Sequence, residues 1–245
     1  MSSKLSWWQK QQHSIIKRFL IGFINSSDTY VIQRLPTFLP QTGIKLTQLR
    51  EYWIHQNEDN NDKDLIRLLF LIATMEELKI SNIPGSLAEV GVYRGNSAKI
   101  FHSLCPERNL YLFDTFTGFD ERDCKSENIV PGEYSDTSIE QVKEFVGTKD
   151  NIYYFQGHFP ETTHRMNPAT RFALVHLDAD LYEPTKAGLE YFYDKLEPGG
   201  FLILHDYGSP RWPGVLRAAQ EFFANKPEKL IRIPDRSGSS LIRKI

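Results

Sequence analysis

The chain is poor in cysteine: Cys105 and Cys124 are the only two, far apart and without a pairing or metal-ligand pattern. That excludes a small fold stapled by disulfides and points to a reducing compartment. Long apolar runs are missing as well. The longest, such as Phe19 to Ile24 and Leu68 to Ala73, fall far short of the roughly 20 residues that a membrane-spanning helix needs. Phe19 to Ile24 also lacks a small-residue cleavage site, so no signal peptide is expected and the protein is read as soluble and cytoplasmic. Basic residues are not in excess either. With a formal charge of −2 and no basic stripe interleaved with aromatics, nucleic acid is excluded as a partner and a neutral or small-molecule partner is expected.

What is present is enough apolar mass for one substantial core: 245 residues, 40% of them hydrophobic, sixteen of them Phe. The pattern divides near residue 80. Before it, Ile15, Ile16, Phe19, Leu20 and Phe23 recur at helical spacing, and Asp62 to Leu78 carries Leu65, Leu68, Leu69, Ile72 and Met75 along one face. Residues 1–80 are therefore read as a helical extension that covers the main domain or a second subunit. Trp7 and Trp8 beside a basic amphipathic helix suit a membrane surface too, but packing is the commoner use of such a stripe.

From Ser86, short apolar strands alternate with helical stretches, the signature of βαβ units and a parallel sheet, so residues 81–245 form the catalytic domain. Strands are expected at Leu87–Val92, Asn109–Phe113, Ile152–Gln156, Phe172–Leu177 and Phe201–Leu204. Helices fall at about Ser97–Leu104, Ser138–Val146, Pro184–Lys195 and Trp212–Ala224, the second opened by a capping box of Thr137 and Glu140. Lys229–Ile233 and Ser240–Ile245, separated by Pro234 to Gly238, suit an antiparallel pair at the sheet edge. The fold class is α/β: a doubly wound, mostly parallel sheet with a C-terminal antiparallel hairpin and an N-terminal helical extension. The connection from Phe116 to Ser138 leaves the carboxyl end of a strand and reads as a lid.

Four segments carry chemistry. Glu89-Val90-Gly91-Val92-Tyr93-Arg94-Gly95-Asn96-Ser97 runs off the first strand into a helix, where glycines let a ligand approach and free N–H groups near Ser97 favour an anion. Gly91 and Gly95 lack the G-x-G-x-x-G spacing of a pyrophosphate cradle, which S-adenosylmethionine does not need. Asp114 ends the second strand, where an acid accepts hydrogen bonds from both ribose hydroxyls of an adenosine cofactor. Pro198-Gly199-Gly200 is a tight turn before a buried strand. The sharpest signal is acidic: Asp178 and Asp180 follow the fourth strand, and His205-Asp206 ends the fifth. Carboxylates gathered at neighbouring strand ends repel unless they share a cation or proton, and a hard divalent cation such as Mg²⁺ relieves this. Metal coordination lowers the pKa of a bound hydroxyl, and a carboxylate or His205 takes its proton. The face of Tyr93 favours a sulfonium.

These residues resemble the macrocin O-methyltransferase family, of the TylF, MycF and NovP type, which methylates deoxysugar hydroxyls in natural-product biosynthesis. The resemblance covers about residues 86 to 245, through Leu87 to Gly95, Leu112-Phe113-Asp114-Thr115-Phe116, Gly157 to Thr162, His176 to Tyr182, His205-Asp206-Tyr207-Gly208 and Trp212-Pro213-Gly214. It implies a Rossmann-like fold and S-adenosylmethionine bound through Glu89, Gly91, Tyr93, Ser97, Asp114 and Asp178, with Gln156, Gly157 and His158 beside the adenine. It also implies Mg²⁺ on Asp178 and Asp206, Asp180 as general base, and a homodimer acting on a sugar-bearing hydroxyl. Some relatives carry two aspartates where this chain has His205-Asp206, and imidazole suits transition metals better than Mg²⁺. Two other readings compete: a metal-dependent methyltransferase of phenolic or catechol hydroxyls, and an adenosyl-ligand-binding module without turnover. The converging Asp178, Asp180 and Asp206 argue against the second, because binding alone does not need them.

Overall fold

The computed structural model describes residues 42–125, 127 and 129–245. The predicted helix around Ile15 to Phe23 and the tryptophans Trp7 and Trp8 lie outside the described residues. Helix α1 spans Leu46–Ile54, α2 Leu65–Ile80, α3 Asn96–Leu104, α4 Ile139–Val146, α5 Tyr182–Phe192 and α6 Pro213–Phe223. The strands are β1 Ser86–Val90, β2 Leu110–Asp114, β3 Ile152–Gln156, β4 Phe172–Leu177, β5 Leu196–Leu204, β6 Ile231–Arg232 and β7 Ser240–Arg243. They form one seven-stranded sheet in the order β3-β2-β1-β4-β5-β7-β6, parallel through β5 and closed by the antiparallel β7 and β6.

The central strands are buried on both faces, which is why Leu87–Val90 and Phe172–Leu177 read as nearly continuous apolar runs. β5 begins at Leu196, earlier than Phe201. Its Pro198-Gly199-Gly200 stretch is a bulge within the strand, and Phe172 pairs with Leu196 before Leu174 pairs with Phe201. Phe113, Phe159, Phe172 and Phe192 pack ring against ring between the sheet and α5.

Helix α2 starts one turn after the predicted boundary because Asp64 caps it, accepting from the Arg67 N–H at 3.1 Å. Its buried face holds Leu68, Leu71, Ile72, Met75 and Leu78, with Leu65 and Leu69 only half-buried, and it also holds a charged residue, Arg67. Asn96, the first residue of α3, donates to the carbonyls of Tyr52 and His55 at 2.9 Å, fastening the end of α1 to the domain. The cap of α4 is Ser138, which accepts from Gln141 N–H at 3.3 Å, rather than Thr137. Thr137 instead donates to the Tyr93 carbonyl at 2.9 Å, a bond that a residue outside the helix is free to make. No helix among the described residues is long and apolar enough to cross a membrane.

Candidate active site

The carboxyl ends of β1, β4 and β5 lie side by side, and the ladder carries on past the strands. Asp178 N–H donates to the Val90 carbonyl at 2.8 Å, and His205 N–H donates to that of Leu177 at 2.9 Å. Gly91, Asp178 and His205 are thereby held level at the topological switch point of the sheet, where open α/β sheets bind ligands. At Gly91, φ is +83°, and a Cβ there would overlap the carbonyl oxygen of Asp178 and lie 2.6 Å from its carbonyl carbon. This is the close backbone approach for which only glycine serves.

A cavity of about 430 Å³ opens over these tips, within the usual range for small-molecule sites. Gly91, Tyr93, Ser97, Asp114, Gly157, His158, Asp178, Asp180, His205 and Asp206, all predicted site residues, line it. Glu89 and Gln156 do not. Glu89 is wholly buried, accepting from Ser97 Oγ and facing His176 Nδ1 at 2.7 Å. Gln156 is exposed at the end of the edge strand β3.

On the β1–β2 side, Asp114 takes Val92 and Tyr93 N–H on one oxygen, at 2.6 and 2.9 Å, and Phe116 N–H on the other at 2.6 Å. A carboxylate has about four acceptor directions; three are taken and Thr115 Oγ1 lies 3.4 Å from Oδ1, so at most one remains for a ligand hydroxyl. Tyr93 donates to Asp136 at 2.7 Å while Arg94 lies 4.8 Å above its ring, so one aromatic face is already taken. His158 is held at 3.0 Å by Asp123, from the helical turn Glu121–Cys124 of the long β2–α4 connection. That connection is folded over the cavity. Phe119 N–H donates to the Glu133 carbonyl and Gly132 N–H to the Phe119 carbonyl, both at 3.0 Å, and Phe119 and Tyr134 pack on Trp212 at 5.6 and 6.4 Å.

On the β4–β5 side, the donor atoms of Asp178, Asp180, His205 and Asp206 all lie within 4.8 Å of one another. Strand alternation does not bring Asp180 there, because β4 has ended. A tight turn, Leu181 N–H to the Ala179 carbonyl at 2.6 Å with Asp180 at φ +60°, folds it back. Asp206 is also left-handed, at φ +55°, so two strained residues meet at one site. His205 Nδ1 stands 2.7 Å from both Asp178 Oδ1 and Asp206 Oδ2, ion-pair contacts that a single N–H cannot align with both at once. Arg67 Nη2 meets Asp178 Oδ2 at 2.5 Å.

The charges sort accordingly. Burial opposes ionisation of Asp178, yet Arg67 and His205 hold its carboxyl well below the usual range. Burial likewise opposes ionisation of Asp206, and His205 offsets it, leaving that carboxyl lowered too. Burial, then Asp178 and Asp206, push Asp180 well above the usual range, so its proton is shared toward Asp206. Burial and Arg67 favour neutral His205, but the two aspartates prevail and raise it to about 10. Without a cation, the two aspartates therefore hold the proton on this ring. Three carboxylates and one imidazole form a donor set that fits a divalent cation, with N and O ligands together. Such a cation would take over the charge balance now supplied by the His205 and Asp180 protons.

The family model described as macrocin O-methyltransferase (TylF) matches residues 65–235. The chain belongs to the macrocin O-methyltransferase family. The matched span includes α2 and with it Arg67, a residue that the periodicity argument passed over. One similar protein is the 8-demethyl-8-(2,3-dimethoxy-alpha-L-rhamnosyl)-tetracenomycin-C 4'-O-methyltransferase of Streptomyces olivaceus, 30% identical over 58% of this chain and 60% of that protein. Another is the mycinamicin III 3''-O-methyltransferase of Micromonospora griseorubida, 26% identical over 59% of this chain and 63% of that protein. The match thus spans somewhat under two thirds of each relative's length. Among solved structures, a calicheamicin methyltransferase superposes with TM-score 0.65 at 23% identity, over 98% of this chain and 94% of its own. The O-methyltransferase NovP does so with TM-score 0.62 at 23% identity, over 73% of this chain and 79% of its own. These two likenesses carry the fold: a Rossmann-like methyltransferase sheet with an antiparallel C-terminal pair.

Proposed function

We propose that this member of the macrocin O-methyltransferase family transfers a methyl group from S-adenosylmethionine to a hydroxyl of a sugar or glycosylated small molecule, with a divalent cation such as Mg²⁺ assisting. The observation that carries the reading is the meeting of Asp178, Asp180 and Asp206 in the same cavity as the Gly91 turn and Asp114. The name of the Streptomyces olivaceus relative, an O-methyltransferase of a rhamnosyl-tetracenomycin, supports the acceptor class.

S-adenosylmethionine supplies an electrophilic methyl group when bound. Asp114 would take a ribose hydroxyl, the Gly91 to Ser97 turn its amino-acid end, and Gly157 and His158 its base. A divalent cation held by Asp178 and Asp206 supplies Lewis acidity toward an acceptor hydroxyl. Asp180 is the proton acceptor. Burial and two neighbouring acids raise its proton affinity, which makes it a stronger base than a free carboxylate once ionised. Trp212, Phe119 and Tyr134 exclude water and give the acceptor an apolar wall.

Calorimetry with S-adenosylmethionine, S-adenosylhomocysteine and NAD, each with and without Mg²⁺, tests the cofactor assignment. Binding of both adenosyl ligands is expected, and tight binding of NAD alone would overturn it. Asp178→Ala and Asp206→Ala are expected to abolish methyl transfer to a glycoside panel while leaving cofactor affinity within a few-fold. Full turnover by both variants, or by chelated wild-type enzyme, would remove the cation from the proposal.

A further inference from the structure

Along and beneath the cavity floor runs a set of charged and polar groups of which the proposed reaction uses only the two ends, Asp178 and Ser97. Arg67 of α2 is 8% exposed, and its guanidinium sits 5.3 Å from the Trp53 ring. Besides Asp178 Oδ2 at 2.5 Å, the same Nη2 meets His176 Nε2 at 3.4 Å. His176 belongs to β4 and is wholly buried, with Nδ1 at 2.7 Å from Glu89 Oε1 in β1. Glu89 Oε1 also accepts from Ser97 Oγ at the start of α3. The path Asp178, Arg67, His176, Glu89, Ser97 therefore joins the acidic cluster to the glycine turn through side chains alone.

Its direction is set by chemistry. A guanidinium can only donate, so His176 Nε2 must present a lone pair to Arg67. The ring proton is then on Nδ1, where it donates to Glu89, and Glu89 in turn accepts from Ser97. Reversing the His176 tautomer would set two N–H groups face to face at Arg67 and a lone pair against a Glu89 oxygen, each a repulsive contact for a ring that is wholly buried. Arg67 also holds one of the two oxygens of Asp178, Oδ2, away from the cluster, while the other, Oδ1, faces His205 at 2.7 Å.

We propose that Arg67 is a positioning residue. It fixes the rotamer of Asp178 and the Nδ1–H tautomer of His176, and so ties the acceptor side of the site to the cofactor side. The role rests on the methyl-transfer reading only for its effect on turnover; the tautomer stands apart from it.

The test is a long-range ¹H–¹⁵N spectrum of the histidine rings in the ligand-free protein, with the His176 signals assigned by their loss in His176→Gln. Wild-type His176 is expected to show a protonated Nδ1 and an unprotonated Nε2. A protonated Nε2 would overturn the proposal without any variant. In Arg67→Met, the His176 signals are expected to move toward a mixed tautomer and kcat to fall by about 10- to 100-fold, the usual cost of losing a supporting partner of a site ligand. Arg67→Lys, which keeps a charge but not the planar fork, is expected to recover part of kcat and little of the tautomer. Unchanged His176 signals in both variants would refute the linkage. Absence of any adenosyl-ligand binding by wild type would instead refute the methyl-transfer reading and leave the tautomer result standing.

Discussion

Replacing Gly91 by alanine separates two effects that usually come together. The residue sits at φ +83°, a conformation that costs an L residue about 1 kcal/mol, and its missing Cβ is the only reason the turn can lie against Asp178. Gly132, in the lid, has nearly the same conformation, φ +78°, with nothing within 4 Å of a built Cβ. Gly132→Ala thus meets the conformational cost alone. In Gly91→Ala the new methyl meets main chain rather than a flexible side chain, so the turn must withdraw from the tip of β4. Withdrawal breaks the Asp178 N–H bond to Val90 at 2.8 Å and the Gly91 N–H bond to Phe113 at 3.0 Å. At about 1 kcal/mol each, these losses bring the total to about 3 kcal/mol. For a domain of this size, about 3 kcal/mol lowers Tm by roughly 6 to 12 °C, against roughly 2 to 4 °C for Gly132→Ala. Thermal unfolding followed by circular dichroism reads both values, and calorimetry should show S-adenosylmethionine affinity lost in Gly91→Ala and retained in Gly132→Ala. Equal Tm losses in the two variants, or wild-type affinity in Gly91→Ala, would show that the contact with Asp178 does not govern this turn.

Other outcomes follow from the same geometry. Trp212→Ala removes a 3% exposed indole under the lid and should cost about 3 to 5 kcal/mol, with faster proteolysis between residues 116 and 138; a protease-resistant lid in the variant would contradict its packing role. Glu228 is buried against Tyr193 Oη at 2.5 Å and Lys244 Nζ at 2.8 Å, and although burial opposes its charge these partners lower its carboxyl from 4.5 to about 2. A depressed carboxylate stabilises the fold above its unfolded value, so wild type should exceed Glu228→Gln in Tm at pH 7 and lose that lead as pH falls from 4.5 toward 2. A pH-independent difference would show that the charge of Glu228 is not involved. Divalent-cation binding should release protons and strengthen as pH rises, because His205 and Asp180 hold protons in its absence; calorimetry in buffers of different ionisation enthalpy reads the release.

The parallel sheet was legible because strands buried on both faces leave unbroken apolar runs, and the tips of β4 and β5 announced themselves through acids directly after those runs. Gly91 was legible as a close approach, though not what it approaches. Where structure and local pattern differ, a short-range rule meets a longer-range competitor. Thr137 fits a capping box, but Ser138 takes the cap while Thr137 holds the Tyr93 carbonyl. Pro198-Gly199-Gly200 reads as a turn, yet pairing of Leu196 with Phe172 absorbs it as a bulge. Asp180 reaches the cluster by a backbone reversal that alternation does not describe. Arg67 had one visible signal, a lone cation four residues from Leu71 and eight from Met75 on an apolar helix face. Its partner lies 111 residues onward, which no local pattern reveals.

That separation bears on how the protein is made. α2 leaves the ribosome before β1, the first strand among the described residues, and its guanidinium does not meet Asp178 until β4 has been synthesised and seated beside β1. The His205 and Asp206 side of the pocket waits longer still, for β5. The Gly91 turn, whose backbone lies against Asp178, likewise lacks its support until β4 is in place.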